Sequence, residues 1–121
     1  MPAVPTLVLG SSSSHRRALM QRLDIPFELD RPDIDETPLD GEAGERYVER
    51  LAAAKAAAVA ERWPDAVVIG SDQTCVRDGE LIGKPGTLER AVQQLRAASG
   101  RSLMFLSATC VLDARSGQAT T

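Results

Sequence analysis

Residues 66–82 of the chain read AVVIGSDQTCVRDGELI. The run Ala66–Gly70 is aliphatic and β-branched, which predicts a buried strand. Thr74–Arg77 and Glu80–Ile82 flank Asp78-Gly79, and this dipeptide is a strong signal for a two-residue hairpin turn. The stretch therefore predicts a buried strand and hairpin strands that join one central sheet.

On both sides of this stretch, predicted strands alternate with predicted helices, which indicates an α/β or mixed α+β class. The further strands are predicted at Thr6–Gly10, Phe27–Leu29, Leu103–Leu112 and Gln118–Thr121. Helices are predicted after the serines at 11–14, from about Glu45 to Trp63, and between a capping Thr87 and Gly100. The sequence thus predicts an α/β fold, a mixed sheet with flanking helices, in a single domain over residues 1–121.

The composition is that of an ordinary globular domain with a mildly acidic charge. The chain has 121 residues, a formal net charge of -3 and 43% hydrophobic residues, too many for a disordered segment. The acidic charge and the aromatic content of 3% disfavour a nucleic-acid-binding protein. Two cysteines and one histidine are too few for most structural zinc sites or a disulfide scaffold. We expect Cys75 and Cys110 to be buried, reduced thiols.

Neither a membrane span nor a secretion signal is predicted. No apolar run approaches the roughly 20 residues that cross a bilayer, and Met1–Pro5 lacks the basic start of a signal peptide. We therefore expect a cytoplasmic protein without membrane or nucleic-acid partners. The predicted return strand at Gln118–Thr121 is short, and from this we expect a chain that is truncated at its C-terminus.

The serine run Ser11–Ser14 and the following His15, Arg16 and Arg17 begin a predicted helix. Free N–H groups at a helix N-terminus, together with hydroxyls and guanidinium groups, suit a phosphate ligand. The same residues also suit a serine cap with solvated arginines. Both interpretations stay open at this point.

Three further places could carry chemistry. Asp33, Asp35 and Glu36 form an acidic turn that could hold a hard cation such as Mg²⁺, or could simply be solvated. Lys55 falls on the apolar stripe of the long predicted helix, where a buried ammonium needs an anion unless it reaches solvent at the edge. Asp72 follows the predicted buried strand and could be a general base, a metal ligand or a turn residue.

Taken in order, these motifs resemble the Maf family. They are the serine-rich turn with Arg16-Arg17, DIDETP at 33–38, LAAAKA at 51–56, IGSDQ at 69–73, DGE at 78–80 and GKP at 83–85. The resemblance implies a nucleoside triphosphate pyrophosphatase that cleaves the α–β phosphoanhydride with a divalent cation, Mg²⁺ or Mn²⁺. It also implies a fold like that of the inosine triphosphate pyrophosphatases, of which this chain would be the N-terminal part.

The resemblance further implies roles for single residues. Asp72 matches the proton acceptor, Glu36 and Lys55 match catalytic partners, and Glu36 and Asp72 match candidate metal ligands. Residues implied to bind the substrate are Ser12, Ser13, His15, Arg16, Gln73 and Lys84.

The triplet Ser71-Asp72-Gln73 is similar to that of the subgroup that hydrolyses 7-methyl-GTP. A glutamine offers both a donor and an acceptor to a guanine-type base. Two alternatives stay open: a pyrophosphatase of the dTTP/UTP type, and a catalytically incompetent module that binds nucleotides or regulates cell division. The resemblance also implies that the chain could form a homodimer.

Overall fold

The computed structural model describes residues 4–83 and 85–121, and these ranges contain three helices and a six-stranded mixed sheet. The strands are β1 Leu7–Gly10, β2 Glu28–Asp30, β3 Val67–Arg77, β4 Glu80–Ile82, β5 Met104–Asp113 and β6 Ala119–Thr120. The helices are α1 Ser14–Gln21, α2 Gly44–Ala60 and α3 Leu88–Ala98. The predicted α/β class with flanking helices is confirmed.

The strand order of the sheet is β2-β1-β3-β5-β6, and β4 pairs with β3. β1 is parallel to both β2 and β3, with Gly10 opposite Gly70. Parallel neighbours require crossover connections, and α1 and α2 supply them. β5 is antiparallel to β3. The carboxyl end of β1 therefore lies beside the middle of the long strand β3, and the candidate site is found there.

The core lies between α2 and one face of the sheet. Its buried members are Val8, Ala52, Ala56, Val59, Ala66, Val68 and Cys110. Gly70 allows α2 to approach β3 closely: a Cβ atom there would lie 2.6 Å from the amide nitrogen of Ala56, and closer still to the carbonyl oxygen of Ala52. The absence of a side chain at Gly70 thus sets the spacing between α2 and the strand that carries Asp72.

The predicted end of the buried strand at Gly70 is wrong. β3 continues without a break to Arg77, because β5 pairs with it from Val67 to Val76 and satisfies its backbone groups. Asp72 therefore lies inside a regular strand and is not a turn residue. Successive side chains of a strand point to opposite faces, so Asp72 faces α2 and Gln73 faces away from it.

The other predicted elements are confirmed with small shifts of their ends. Thr87 caps α3 by accepting a hydrogen bond from the backbone N–H of Arg90, and Gly100 follows the helix with a φ of 72°. The long helix ends at Ala60 and not at Trp63. None of the described helices is long and apolar enough to cross a membrane.

The prediction of two buried, reduced thiols is only partly correct. Both cysteines are free, and Cys110 is buried, but Cys75 is half-buried. In the register of β3, Cys75 lies on the face opposite α2 and pairs with the exposed Phe105 of β5. Of the described helices, only α3 approaches that face, where Ala91 and Leu95 line an apolar cavity with Cys75, so the thiol is partly covered.

Candidate functional site

The site begins where β1 leads into α1. Ser13 is the N-cap of α1, and its side chain accepts a hydrogen bond from the backbone N–H of Arg16 at 3.3 Å. The buried Ser11 stabilises the turn, because its Oγ accepts the N–H of Ser13 at 3.0 Å. The predicted serine cap is therefore present, and it orients the first turn of α1 towards the open space at the end of β1.

A polar cavity of about 410 Å³ occupies that space. It is lined by residues 10–16, which form the serine turn, and by Pro32, Ile34, Glu36 and Lys55. The cavity thus combines hydroxyl groups, the Arg16 guanidinium and the positive end of the α1 dipole. These are the groups that bind phosphate, so the phosphate interpretation of the serine run is compatible with the cap.

Lys55 connects two carboxylates at one side of this cavity. Its Nζ lies 2.9 Å from Oδ1 of Asp72 and 3.0 Å from Oε1 of Glu36. Lys55 and Asp72 are buried, with 9% and 7% of their surface exposed, whereas the Glu36 side chain is 56% exposed. The prediction that the lysine on the apolar stripe meets an anion is confirmed, and it does not reach solvent at the edge of the stripe.

The second oxygen of Asp72 is a buried acceptor without a partner. Its Oδ2 makes no hydrogen bond to any residue that the structure describes. An unpaired buried oxygen is costly, by about 1–3 kcal/mol, and a carboxylate oxygen can accept a proton, a hydrogen bond or a cation. Oδ2 of Asp72 is therefore the one oxygen of the Lys55–Asp72 pair to which the described residues give no partner.

Two parts of the fold create this arrangement. The helical spacing of α2 places Lys55 on the same stripe as the buried Ala52 and Val59. The alternation of β3 turns Asp72 towards that stripe. Since Gly70 brings the helix close to the strand, the Lys55 ammonium reaches the carboxylate directly.

Glu36 comes from a loop that α2 holds in place. We call Glu36–Glu42 the 36–42 loop. The hydroxyl of Tyr47 donates to the carbonyl oxygen of Glu36 at 2.6 Å, and Arg50 donates to the carbonyl of Thr37 at 3.1 Å. Arg50 also binds both oxygens of the Glu42 carboxylate, at 2.7 and 2.9 Å. The loop is therefore tied to α2 at its start and at its end.

Sequence reasoning missed Tyr47 and Arg50. Tyr47 is half-buried, and its pKa is raised by burial first and then by the negative charges of Asp72 and Glu36. The hydrogen bonds from Arg50 hold the pKa of the Glu42 carboxyl below its usual range. The signal in the sequence was their position, since Arg50 lies five residues and Tyr47 eight residues before Lys55 on the helix that carries it.

The acidic turn contributes one carboxylate and not three. Asp35 Oδ1 accepts hydrogen bonds from the N–H and the hydroxyl of Thr37, at 2.9 and 2.6 Å, and these bonds lower its pKa. Asp35 thus stabilises the turn. Over residues 4–83 and 85–121, no cluster of three or more His, Cys, Asp or Glu side chains forms a ready-made metal site.

The structure brings most of the predicted site residues to one place. The residues that line the cavity or contact Lys55 are Ser12, Ser13, His15, Arg16, Glu36, Lys55 and Asp72. Gln73 is not among them, because its exposed side chain lies on the other face of β3, beside Ser107 of β5. Lys84 lies outside the described residues.

Residues 6–121 match the family model described as Maf, Maf-like protein. The chain is 52% identical over 120 residues to the 7-methyl-GTP pyrophosphatase of Nitrosococcus oceani, a match that covers 99% of this chain and 60% of that protein. It is 56% identical over 118 residues to the 7-methyl-GTP pyrophosphatase of Burkholderia lata, covering 95% of this chain and 56% of the relative. The chain thus spans less than two thirds of the length of these relatives.

A solved structure shares the fold. It is the nucleoside-triphosphatase, or dITP/XTP pyrophosphatase, of Mycobacterium abscessus, with a TM-score of 0.58 at 17% sequence identity. The similarity covers 95% of this chain and 68% of that one. At this identity the similarity concerns the fold, and it confirms the expected architecture of the inosine triphosphate pyrophosphatase type.

Proposed function

The chain belongs to the Maf family, and from this we propose that its site hydrolyses a nucleoside triphosphate to a monophosphate and pyrophosphate. One observation carries the proposal. Lys55 lies between Asp72 and Glu36 at the edge of a polar cavity, and Asp72 keeps a buried oxygen without a partner. Hydrolysis of a phosphoanhydride depends on charge neutralisation and on an oriented water, and these groups can supply both.

In the proposed reaction, the serine turn and Arg16 bind the phosphate groups. A water molecule attacks phosphorus, its oxygen forms the new P–O bond, and the bridging P–O bond breaks to release pyrophosphate. Oδ2 of Asp72 accepts the proton of the water, because Oδ1 is already paired with Lys55. Lys55 neutralises the charge that Asp72 and the phosphates bring together.

A divalent cation fits the donor groups of this site. Mg²⁺ binds through one or two carboxylates together with substrate phosphates, and Glu36 and Asp72 would be the two carboxylates. The Glu36 side chain is 56% exposed and is therefore open to such a ligand. When bound, the cation would screen the negative charge of the polyphosphate. We propose Mg²⁺ or Mn²⁺ as the cofactor.

For the base we propose 7-methylguanine. The two relatives compared above are both named 7-methyl-GTP pyrophosphatases. Gln73 does not support this choice, because its side chain lies on the face of β3 opposite the cavity. The dTTP/UTP type is the alternative. A cytoplasmic location and a homodimer, expected from the sequence, stay predictions.

Pyrophosphate release from a panel of nucleotides tests this proposal. The panel contains 7-methyl-GTP, GTP, dTTP, UTP and CTP, each with Mg²⁺, with Mn²⁺ and with a chelator. We expect turnover of 7-methyl-GTP above the others, and its loss with the chelator. Preferred turnover of dTTP and UTP would contradict the base assignment. Turnover in the presence of the chelator would contradict the proposal that a divalent cation is the cofactor.

A second candidate is nucleotide binding without turnover. It is favoured by the contacts of Lys55, whose ammonium is already paired with two carboxylates in the free protein. Isothermal titration with 7-methyl-GTP separates the two candidates. Binding heat without any product would support this second candidate over the first.

A further inference from the structure

The structure must hold the Glu36 carboxylate against Lys55 by some means other than burial. Its side chain is 56% exposed, and it extends from an irregular loop. An exposed carboxylate of this kind gains little from a single ion pair and has several rotamers available. Its position beside the Lys55 ammonium, at 3.0 Å, therefore depends on how firmly the backbone of Glu36 is held.

Two side chains of α2 hold that backbone. The Tyr47 hydroxyl donates to the carbonyl of Glu36 and Arg50 to the carbonyl of Thr37, so two successive peptide groups are fixed. Pro38 follows, and its ring restricts the conformation of the loop further. These contacts are made on the backbone, so they do not compete with the carboxylate for Lys55.

Arg50 is itself held in a fixed orientation. The Glu42 carboxylate binds it through two hydrogen bonds, and the Glu42 side chain is only 7% exposed. Glu42 also accepts the N–H of Leu39 at 3.1 Å, and the guanidinium lies 5.7 Å from the centre of the Tyr47 ring. Such bidentate and cation–π contacts restrain a guanidinium strongly. Tyr47, Arg50 and Glu42 thus form one network.

We propose that Tyr47 and Arg50 are positioning residues, which fix the Glu36 and Thr37 peptides so that the Glu36 carboxylate lies against Lys55. Neither residue lines the phosphate cavity, so both would act through Glu36. The effect of this positioning on hydrolysis rests on the proposed function. The positioning itself can be tested in the free protein, without substrate or cation.

The ammonium signal of Lys55 in nitrogen-15 NMR spectra reports this positioning. Lys55 and Lys84 are the lysines of the sequence, so the lysine region is simple and Lys84→Arg assigns it. We expect Glu36→Gln to shift the Lys55 signal. We expect Tyr47→Phe and Arg50→Gln to shift it in the same direction, because Tyr47 makes one hydrogen bond to the loop and Arg50 makes three. Adding Tyr47→Phe to Glu36→Gln should shift it no further.

Matched controls keep the test decisive. Arg46 is an exposed arginine one turn before Arg50, and Arg46→Gln should leave the Lys55 signal unchanged. Tyr47→Phe and Arg50→Gln remove the bonds to the Glu36 and Thr37 carbonyls separately, so one unfolded variant does not end the test. The proposal is overturned if Glu36→Gln leaves the signal in place. It is also overturned if the Lys55 signal of the folded Tyr47 and Arg50 variants is the same as that of the wild type. Additive shifts from Tyr47→Phe and Glu36→Gln in the double variant would overturn it as well.

Kinetics then connect the positioning to the proposed function. For pyrophosphate release from 7-methyl-GTP, we expect Tyr47→Phe to lower kcat roughly tenfold with little change in KM. In a Glu36→Gln background the same change should lower kcat no further. An additive loss would overturn a role exerted through Glu36. If the wild type releases no pyrophosphate, the proposed function fails, while the ammonium spectra still decide the positioning.

Discussion

At the residue scale, Asp72 and Lys55 form a buried pair in which each charge depends on the other. Removing one partner of such a pair leaves an uncompensated buried charge, which costs about 3–5 kcal/mol. We therefore expect Lys55→Met to lower the free energy of unfolding by about that amount, measured by urea denaturation. The double variant Lys55→Met with Asp72→Asn should recover part of the loss. Equal stability of the single variant and the wild type would show that the pair is not buried in solution.

The Tyr47 phenol reports on the same cluster. Its pKa is raised above that of a free tyrosine by burial first, and then by the negative charges of Asp72 and Glu36. Tyr47 is the one tyrosine of the sequence, so phenolate absorbance during alkaline titration belongs to it alone. We expect a pKa above that of a free tyrosine in the wild type, and a lower value in Glu36→Gln. An unshifted titration would contradict the location of Tyr47 beside the carboxylates.

Asp30, at the end of β2, couples stability to acid pH. Its pKa is lowered from 3.8 to about 2, chiefly by the hydrogen bond from Arg62, with a further one from Trp63. A lowered pKa contributes stability that is present above the unfolded value and is lost as the pH falls through the folded one. The stability difference between wild type and Asp30→Asn should therefore shrink between pH 3.8 and about 2. A difference that is constant across this range would refute the assignment.

At the element scale, α2 could be predicted well from the sequence, and so could both ends of β3, but not its middle, residues 71–73. The helix follows from the spacing of Val48, Leu51 and Val59, which is a local pattern. The continuation of β3 past Gly70 depends on pairing with β5, some forty residues away in the chain. Serine, aspartate and glutamine have low strand propensity, so only the partner strand reveals that this polar segment is extended.

The close approach of α2 and β3 at Gly70 can be tested directly. A methyl group there would collide with the backbone of Ala56, so Gly70→Ala should force α2 away and move Lys55 from Asp72. We expect a loss of roughly 1–3 kcal/mol in the free energy of unfolding, together with weaker nucleotide binding. None of the described residues lies within 4 Å of a Cβ placed at Gly83, and its φ is not positive, so Gly83→Ala is the matched control for stability. Wild-type stability and binding in Gly70→Ala would refute this role for the glycine.

At the scale of the whole molecule, the site exists because three separate segments converge. The serine turn after β1, the 36–42 loop and the α2–β3 interface meet at the carboxyl end of β1. Open sheets commonly bind ligands at such a place. The residues of the site could be listed from motifs in the sequence. Their contacts could not, since the link between Lys55 and Glu36 depends on tertiary packing.

Gln73 is a second example in which a sequence motif does not predict the position of a side chain. It is adjacent to Asp72 in the sequence, so the motif suggests one site for both. Because strand side chains alternate, the two point to opposite faces of β3. Whole-molecule geometry thus separates Gln73, which the motif assigns to the base, from the residues proposed to bind the phosphates.

The central claim is that Asp72 accepts the proton of the attacking water. The most direct measurement is pyrophosphate release from 7-methyl-GTP by Asp72→Asn, compared with the exposed Asp65→Asn. The asparagine keeps the shape and loses the basic oxygen, so we expect kcat to fall by at least about 100-fold. Asp65→Asn should keep the wild-type rate. An Asp72→Asn variant that is folded and hydrolyses 7-methyl-GTP at the wild-type rate would contradict the account.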